Sequence, residues 1–132
     1  MNKNMIINGI DNESFTLYNE LLDYGFNDIV FIDSDMEKVK NFNDKFSNTI
    51  AFFGNSGSPE FLEFAGINRV NSETIFVAMT NNDSVNLISC EIAKLKYDLS
   101  NVVSVVNSKV TWRSHKDNQL VVDTMSDLIK VK

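Results

Sequence analysis

The segment MIINGIDNES, residues 5–14, joins an apolar run to a glycine and a polar stretch, and the rest of the chain is interpreted from it. The run from Met5 to Ile10 has the near-continuous hydrophobicity of a strand that is covered on both faces. The polar residues after Gly9 lead into a helical pattern. We therefore predict that a sheet of parallel strands begins here.

The same alternation of apolar runs and helical patterns continues along the chain. Further strands are predicted at 28–33, 49–53, 74–78 and 102–106, with a sixth short one at 119–122. Helices are predicted at 13–24, 36–46, 58–66 and 82–97. Strict alternation with short connections predicts an α/β fold, a doubly wound parallel β-sheet with helices on both faces and right-handed crossovers.

Apolar stripes predict which face of each helix is buried. Gly25 is expected to end the first helix in a left-handed conformation, and Ser58 and Pro59 to begin the third. The predicted stripes are Phe15, Tyr18, Leu21 and Leu22; Met36, Val39, Phe42 and Phe46; Phe61, Leu62 and Ala65; and Val85, Ile88, Ile92 and Leu95.

Composition bounds the class of protein. The 132 residues are 43% hydrophobic, enough for one domain with its own core, so a disordered chain is excluded. The net charge of -6 repels phosphate backbones and anionic lipid, so nucleic-acid binding is not expected. A single cysteine allows no internal disulfide or zinc cluster and favours a reducing cytoplasm. No signal or membrane-spanning segment is visible, so a role at a membrane requires a partner.

Ligands of such sheets bind beyond the carboxyl ends of the strands, where the strand order reverses. After the first strand, Gly9, Asp11 and Ser14 occupy the three glycine positions of the dinucleotide fingerprint G-x-G-x-x-G. A carboxylate about 4 Å from a phosphate charge costs on the order of 4 kcal/mol at an effective dielectric of about 20, roughly a thousandfold in affinity. The phosphate-binding turn is therefore interpreted as degraded.

Other strand ends supply the remaining candidate groups. Asp33 ends the second strand, where an acidic group accepts hydrogen bonds from ribose hydroxyls; alternatively, Asp33 or Asp35 caps the next helix. With a nucleotide bound, Gly9 would face the phosphates and Asp33 the ribose, while Asn55 and Thr80 would lie at the adenine or ribose rim. The alternative for Thr80, Asn81 and Asn82 is helix capping, which makes Asp83 and Asn86 first-turn surface residues.

Two further features have simple interpretations. Cys90 is expected to be a half-buried structural thiol, because no basic neighbour lowers its pKa. The basic stretch Trp112–Lys116, which contains the single histidine His115, is either a solvated face or a partner contact.

The third and fourth strand ends resemble those of the RCK domain, also called KTN or TrkA-N. Gly54, Pro59, Leu62, Ala65, Gly66 and Ile67 match its segment G-D-x-x-x-P-x-x-L-x-x-A-G-I, and Thr80, Asp83 and Asn86 match T-x-x-D-x-x-N. The resemblance covers about residues 5–107 as a single domain, with 108–132 as a sixth strand and terminal segment and no C-terminal ligand-binding subdomain. The chain departs from the family at the glycine turn and at Asn55, where an aspartate is usual.

The resemblance implies a Rossmann-like regulatory domain of potassium channels and Trk/Ktr-type potassium transporters. Members bind NAD(H), ATP, ADP or AMP, and some bind divalent cations; they dimerise or form larger homo-oligomers and act on a membrane subunit from the cytoplasmic side. The corresponding nucleotide-binding candidates in this chain are Gly9, Asp11, Ser14, Asp33, Gly54, Asn55, Thr80 and Asp83. Leu87, Leu95 and Tyr97 are candidates for a dimer contact or for the core.

No arrangement of catalytic residues is found, so the chain is not expected to be an enzyme. Residues four positions beyond Tyr18, Tyr24 and Tyr97 are not lysines, which excludes the Tyr-x-x-x-Lys pair of short-chain dehydrogenases. A phosphoacceptor receiver domain would fit Asp11, Thr80 and Lys109, but Asn55 stands where its nucleophile is needed. Two hypotheses remain: a nucleotide-sensing module with weakened or altered binding, and a nucleotide-free scaffold for dimerisation and docking.

Overall fold

Six strands and four helices alternate along the part of the chain that the computed structural model describes: residues 4–46, 50–55, 58–64, 74–99, 101–105 and 121–122. The strands are β1 (Asn4–Asn8), β2 (Asp28–Asp33), β3 (Ala51–Phe53), β4 (Ile75–Ala78), β5 (Asn101–Val105) and β6 (Val121–Val122). The helices are α1 (Ser14–Asp23), α2 (Met36–Asp44), α3 (Pro59–Phe64) and α4 (Asp83–Lys96). The predicted α/β fold is confirmed.

All six strands form one parallel sheet in the order β3-β2-β1-β4-β5-β6. Ile7 of β1 lies opposite Phe31 of β2 on one side and opposite Val77 of β4 on the other. After β3 the chain returns to the middle of the sheet to pair β4 with β1, so the strand order reverses beside β1. This reversal is the place where an open α/β sheet has its binding crevice.

Helices cover both faces of the sheet, as the continuous apolar strands predict. Met5 and Ile7 pack in the core on the side of α1 and α2, whereas Ile6 packs on the side of α3 and α4. Phe31 and Phe76 are fully buried at the centre of the sheet. Burial of each such side chain contributes roughly 1.5–3 kcal/mol to folding.

The buried face of α1 is rotated from the predicted one. Leu17, which the predicted stripe omits, is 4% exposed, and Leu21 is 1% exposed. Leu22 was predicted in the core but is 42% exposed, and Phe15 is 37% exposed. The stripe begins instead at Ser14, a small residue that lets the start of the helix lie against the sheet. Because serine is polar, a search for apolar residues alone does not find a buried face that begins at Ser14.

The predicted stripe of α4 is wrong at two of its four positions for a similar reason, while Ile92 packs against the core and Val85 is half-buried. Ile88 and Leu95 are 53% and 80% exposed, and they face away from the sheet. The buried residues of this helix are Asn86, Ser89, Cys90 and Ala93. These side chains are short, so α4 packs closely on β4 and β5 through its small residues.

The predicted helix boundaries follow from local chemistry. Gly25 has a φ of +96° after α1, as expected for a left-handed stop. Ser58 Oγ accepts the Phe61 N–H at 3.5 Å at the start of α3, so Ser58 and Pro59 begin that helix as predicted. Asn82 caps α4, with its Oδ1 accepting the Val85 N–H at 3.0 Å.

Several predictions concern residues outside the described ranges. They include Ala65, Gly66 and Ile67, Lys109, the basic stretch Trp112–Lys116 with His115, and the terminal segment 124–132. In the part of the chain that the structure describes, every helix is too short or too polar to cross a membrane.

Candidate functional site

The turn after β1 packs directly against the turn after β4, and Gly9 makes this contact possible. Gly9 has a φ of +119°, and its N–H donates to the Ile32 carbonyl at 2.7 Å. A Cβ here would lie 2.7 Å from the Thr80 backbone nitrogen and 2.8 Å from the Met79 carbonyl oxygen. Both the dihedral angle and the close approach therefore require glycine. The residue predicted to face phosphates is thus also needed by the fold.

Asp11 and Ser14 close the start of α1 with their own side chains. The Asp11 N–H donates to Ser14 Oγ at 2.9 Å, and the Glu13 N–H donates to Asp11 Oδ1 at 2.8 Å. Ser14 is fully buried, whereas Asp11 is exposed. The Asp11 carboxylate therefore satisfies an amide at the helix start, where an anionic ligand would otherwise bind.

The Asp33 carboxylate links two neighbouring turns. Its Oδ2 accepts the Ile10 N–H at 2.8 Å, and its Oδ1 accepts the Asp35 N–H at 2.8 Å. The residue is 8% exposed. Of the two predicted caps for α2, it is Asp35 that bonds the helix amides, accepting from Glu37 at 3.0 Å. Each Asp33 oxygen has a second lone pair, so the carboxylate can also accept a ribose hydroxyl.

Gly54 and Asn55 follow β3 at the neighbouring strand end. The Gly54 N–H donates to the Asp33 carbonyl at 3.0 Å, which places this turn beside the previous one. A Cβ on Gly54 would overlap the ring of Phe61, so the first turn of α3 packs on the bare backbone. Asn55 is exposed, and its carbonyl accepts the Ser58 N–H at 3.0 Å. The Asn55 side chain therefore belongs to the outer rim.

The turn after β4 is organised by Asn86. Its Oδ1 accepts the Thr80 N–H at 2.8 Å, and its Nδ2 donates to the carbonyls of Thr80 at 3.0 Å and Val105 at 2.9 Å. Asn86 is fully buried, so the expectation of a first-turn surface residue is wrong. Asp83 does lie in the first turn of α4, and it is half-buried. The carboxamide holds the β4 turn to the end of β5.

Short contacts join most of the predicted site residues into one region. The backbone of Gly9 packs against the backbone of Thr80. The Asp33 carboxylate accepts the N–H of Ile10, which lies between Gly9 and Asp11, and the Asp33 carbonyl accepts the Gly54 N–H. Asn55 and Asp83 lie farther out, at the starts of α3 and α4. The carboxyl ends of β1 to β4 therefore form one polar crevice, in which the acids Asp11 and Asp33 carry negative charge.

Sequence reasoning missed two asparagines with structural roles, a buried one in this region and a half-buried one that bonds the start of β3. Asn8 ends β1 fully buried, and its Nδ2 donates to Ser89 Oγ at 3.4 Å. Asn43 of α2 donates to the Ala51 carbonyl at 2.9 Å and accepts the Ile50 and Ala51 N–H groups. Asn8 had a detectable signal, because it is the one polar residue between apolar neighbours and the glycine. Asn43 had none, since it lies among other polar residues of an exposed-looking helix.

Cys90 is buried more deeply than predicted, at 7% exposed. Its Sγ donates to the Val103 carbonyl at 3.3 Å. Burial raises the pKa of the thiol to about 12. The side chain is therefore a protonated core group at neutral pH, with no nucleophilic character.

The crevice offers hydrogen bonds and charge rather than metal ligands. In the described residues no three His, Cys, Asp or Glu side chains lie together as a cation site requires. The polar groups here are the Asp33 carboxylate, the backbone of the β1 and β4 turns, and the Thr80 hydroxyl, which bonds Asn86 Oδ1. These groups suit a polar organic ligand with hydroxyls.

Comparison with solved structures identifies the class of fold. The chain is similar to the NAD(P)-binding domain of an exopolyphosphatase-related protein from Archaeoglobus fulgidus, with a TM-score of 0.68, 18% identity and coverage of 96% of this chain and 90% of that one. It is also similar to the TrkA-N domain of inner membrane protein YbaL from Escherichia coli, with a TM-score of 0.66, 14% identity and coverage of 98% and 93%. The fold is thus of the Rossmann-like NAD(P)-binding type.

The family follows from the sequence itself. The sequence model of the TrkA-N domain family matches residues 5–125, which is most of the chain. This protein therefore belongs to the TrkA-N domain family, and the resemblance noted from its strand ends is confirmed.

Proposed function

We propose that this chain is the regulatory, nucleotide-sensing domain of a potassium channel or a Trk/Ktr-type potassium uptake system, with altered nucleotide binding. The observation that carries the proposal is a contrast between two acids of one crevice. Asp33 remains at the ribose position, while Asp11 places its carboxylate on the N–H of Glu13, the residue just before α1. Ribose recognition is kept and phosphate recognition is weakened.

The phosphate side of the crevice carries the altered chemistry. A bound phosphate would have to lie beside Asp11 Oδ1 or displace it from the Glu13 N–H, which it accepts at 2.8 Å. The repulsion between the two anions adds to the loss of that hydrogen bond. We therefore propose weak binding of NAD(H), ATP, ADP or AMP, with AMP the least penalised because it carries the fewest phosphate groups.

The experiment compares calorimetric titrations of wild type, Asp11→Asn and Glu13→Gln with these four nucleotides. Asp11→Asn keeps a side-chain oxygen for the Glu13 amide but removes the charge, so the affinity for ATP should rise about tenfold or more. Glu13→Gln is the matched control, because Glu13 is exposed on the same turn and its side chain caps nothing. Equal affinities in wild type and Asp11→Asn would refute the role of the carboxylate.

A second candidate is a nucleotide-free scaffold for dimerisation and docking. The observation in its favour is that both Asp33 oxygens already accept backbone amides, at 2.8 Å each, and so have a structural role without any ligand. Absence of binding at millimolar nucleotide by both wild type and Asp11→Asn would favour this scaffold. Saturable binding that Asp33→Asn weakens would favour the nucleotide sensor.

Both candidates include a homodimer or higher homo-oligomer, for which α4 offers the surface. Leu95 and Ile88 are seven residues apart on one face of the helix, and both are exposed. Tyr97, by contrast, is engaged within the chain, where its Oη donates to Glu63 Oε2 at 2.6 Å. We expect Ile88→Lys with Leu95→Lys to convert a dimer to a monomer in sedimentation analysis. An unchanged sedimentation coefficient would place the dimer contact elsewhere.

The proposal assigns binding rather than catalysis to this domain. Its partner would be a separate channel or transporter subunit at the inner face of the membrane, and nucleic acid is not a proposed ligand because the chain has a net charge of -6. Regulation then requires that the nucleotide bind two domain arrangements with different affinity, since equal affinities shift no equilibrium.

A further inference from the structure

A groove of about 250 Å³ lies between the start of α1 and one face of α2. Asp11, Asn12 and Phe15 line it from the α1 side, and Lys38, Asn41 and Lys45 line it from the α2 side. The three α2 residues are spaced three and four positions apart, so they share one face of that helix. Two ammonium groups and two carboxamides thus face the same concave space, together with one carboxylate, that of Asp11.

The electrostatic character of this groove is cationic. Among the residues that the structure describes, neither Lys38 nor Lys45 lies within ion-pairing distance of a carboxylate. Asp11, the one acid in the lining, has its Oδ1 on the Glu13 N–H. Two like charges that share a groove repel each other, and an anion between them relieves that repulsion. The groove thus has two lysines in its lining although the chain as a whole has a net charge of -6.

The aromatic side of the groove holds one of the two cations in place. Lys45 Nζ lies 5.3 Å from the centroid of the Phe15 ring, a cation–π distance. Phe15 in turn stacks on Phe46 with centroids 5.1 Å apart. Phe15 is 37% exposed and presents an apolar surface beside the ammonium group. A ligand with one anionic group and one carbon face fits this combination.

We propose that the groove binds a small phosphate monoester, such as a sugar phosphate. The phosphate lies between Lys38 and Lys45, which act as point charges toward it, and the sugar hydroxyls meet Asn12 and Asn41.

The test uses the whole chain and four probes at low ionic strength: ribose 5-phosphate, inorganic phosphate, uncharged ribose and phosphatidic acid vesicles. Calorimetry should show saturable binding of the first two and none of ribose. Lys38→Met and Lys45→Met should each weaken the binding of ribose 5-phosphate about tenfold. Lys40→Met is the control, because Lys40 is exposed on the same helix and does not line the groove. Its affinity should equal that of wild type.

Four outcomes overturn the proposal. They are absence of saturable binding in wild type, unchanged affinity in both Lys38→Met and Lys45→Met, equal weakening by Lys40→Met, and binding to phosphatidic acid vesicles without binding of ribose 5-phosphate. Retained near-ultraviolet circular dichroism of each variant shows that the fold is intact.

The groove shares Asp11 with the crevice, so Asp11→Asn should strengthen the binding of phosphate groups at both sites. Asp33 and Lys38 distinguish the two sites. Binding of ribose 5-phosphate should survive Asp33→Asn, and binding of NAD(H) should survive Lys38→Met. Failure of nucleotide binding with an intact lysine-dependent phosphate site would refute only the proposed function. The reverse pattern would refute only the site between α1 and α2.

Discussion

The side chain of Asn86 forms hydrogen bonds with both the main chain and the side chain of Thr80. Asn86 Oδ1 accepts the Thr80 N–H at 2.8 Å and lies 2.5 Å from Thr80 Oγ1, while Asn86 Nδ2 donates to the Thr80 carbonyl at 3.0 Å. The same Nδ2 also donates to the carbonyl of Val105. All the polar capacity of this buried carboxamide is therefore used.

Replacing this carboxamide should destabilise the domain strongly. Asn86→Ala removes a hydrogen-bond partner from the Thr80 N–H, from the part-buried Thr80 carbonyl and from the buried Val105 carbonyl, so the free energy of unfolding should fall by about 2–4 kcal/mol in urea titrations. Asn81→Ala is the control, because Asn81 is exposed in the same turn and should change stability by less than about 0.5 kcal/mol. Similar losses in the two variants would contradict the role of Asn86.

A side chain at Gly9 should be tolerated poorly. Gly9→Ala combines a positive φ with a contact of 2.7 Å to main-chain atoms that cannot move away, and should cost about 3 kcal/mol or more. Gly25→Ala also has a positive φ but lies exposed after α1, so it should cost only about 1–2 kcal/mol. Thermal unfolding of both variants gives the comparison, and an equal loss would argue against close packing of the two turns.

The two faces of α4 should respond in opposite ways to substitution. Leu95→Lys should change the free energy of unfolding by less than about 0.5 kcal/mol, measured below the concentration range of self-association, because Leu95 is 80% exposed. Ala93→Leu should cost about 1–3 kcal/mol, because Ala93 is fully buried against the sheet. A large loss for Leu95→Lys with none for Ala93→Leu would reverse the assignment of the faces.

The thiol of Cys90 should be unreactive in the folded chain. Because burial raises its pKa to about 12, iodoacetamide at pH 8 should modify it at least about a hundredfold more slowly than in urea-unfolded protein. The raised pKa also means that the folded state holds the proton more tightly. This contribution to stability is complete below pH 9 and is lost as the pH rises toward 12. Equal alkylation rates in folded and unfolded protein would disprove the burial.

Much of the fold was predictable because it depends on local pattern. Strands buried on both faces are apolar throughout, and helix starts carry residues such as Ser58 and Asn82 whose side chains bond nearby amides. The region of the site was predictable for a related reason, since strand ends such as Asp33 must meet at one edge of a parallel sheet.

What sequence reasoning missed depends on contacts between distant residues. The bond from Asn86 to Val105 spans nineteen positions, so its burial has no local signature. The same holds for the faces of α1 and α4, where Ser14, Ser89 and Ala93 are buried because of their small size. Hydrophobicity ranks these residues below Ile88 and Leu95, which the structure leaves in solvent.

One carboxamide serves both the turn after β4 and the last residue of β5, and this limits how the domain can move. A ligand that pulled on the main chain of Thr80 would drag the terminus of β5 with it through Asn86. Val105 pairs with Val122 of β6 at the far edge of the sheet. One side chain and one strand pair therefore link the middle of the sheet to its edge.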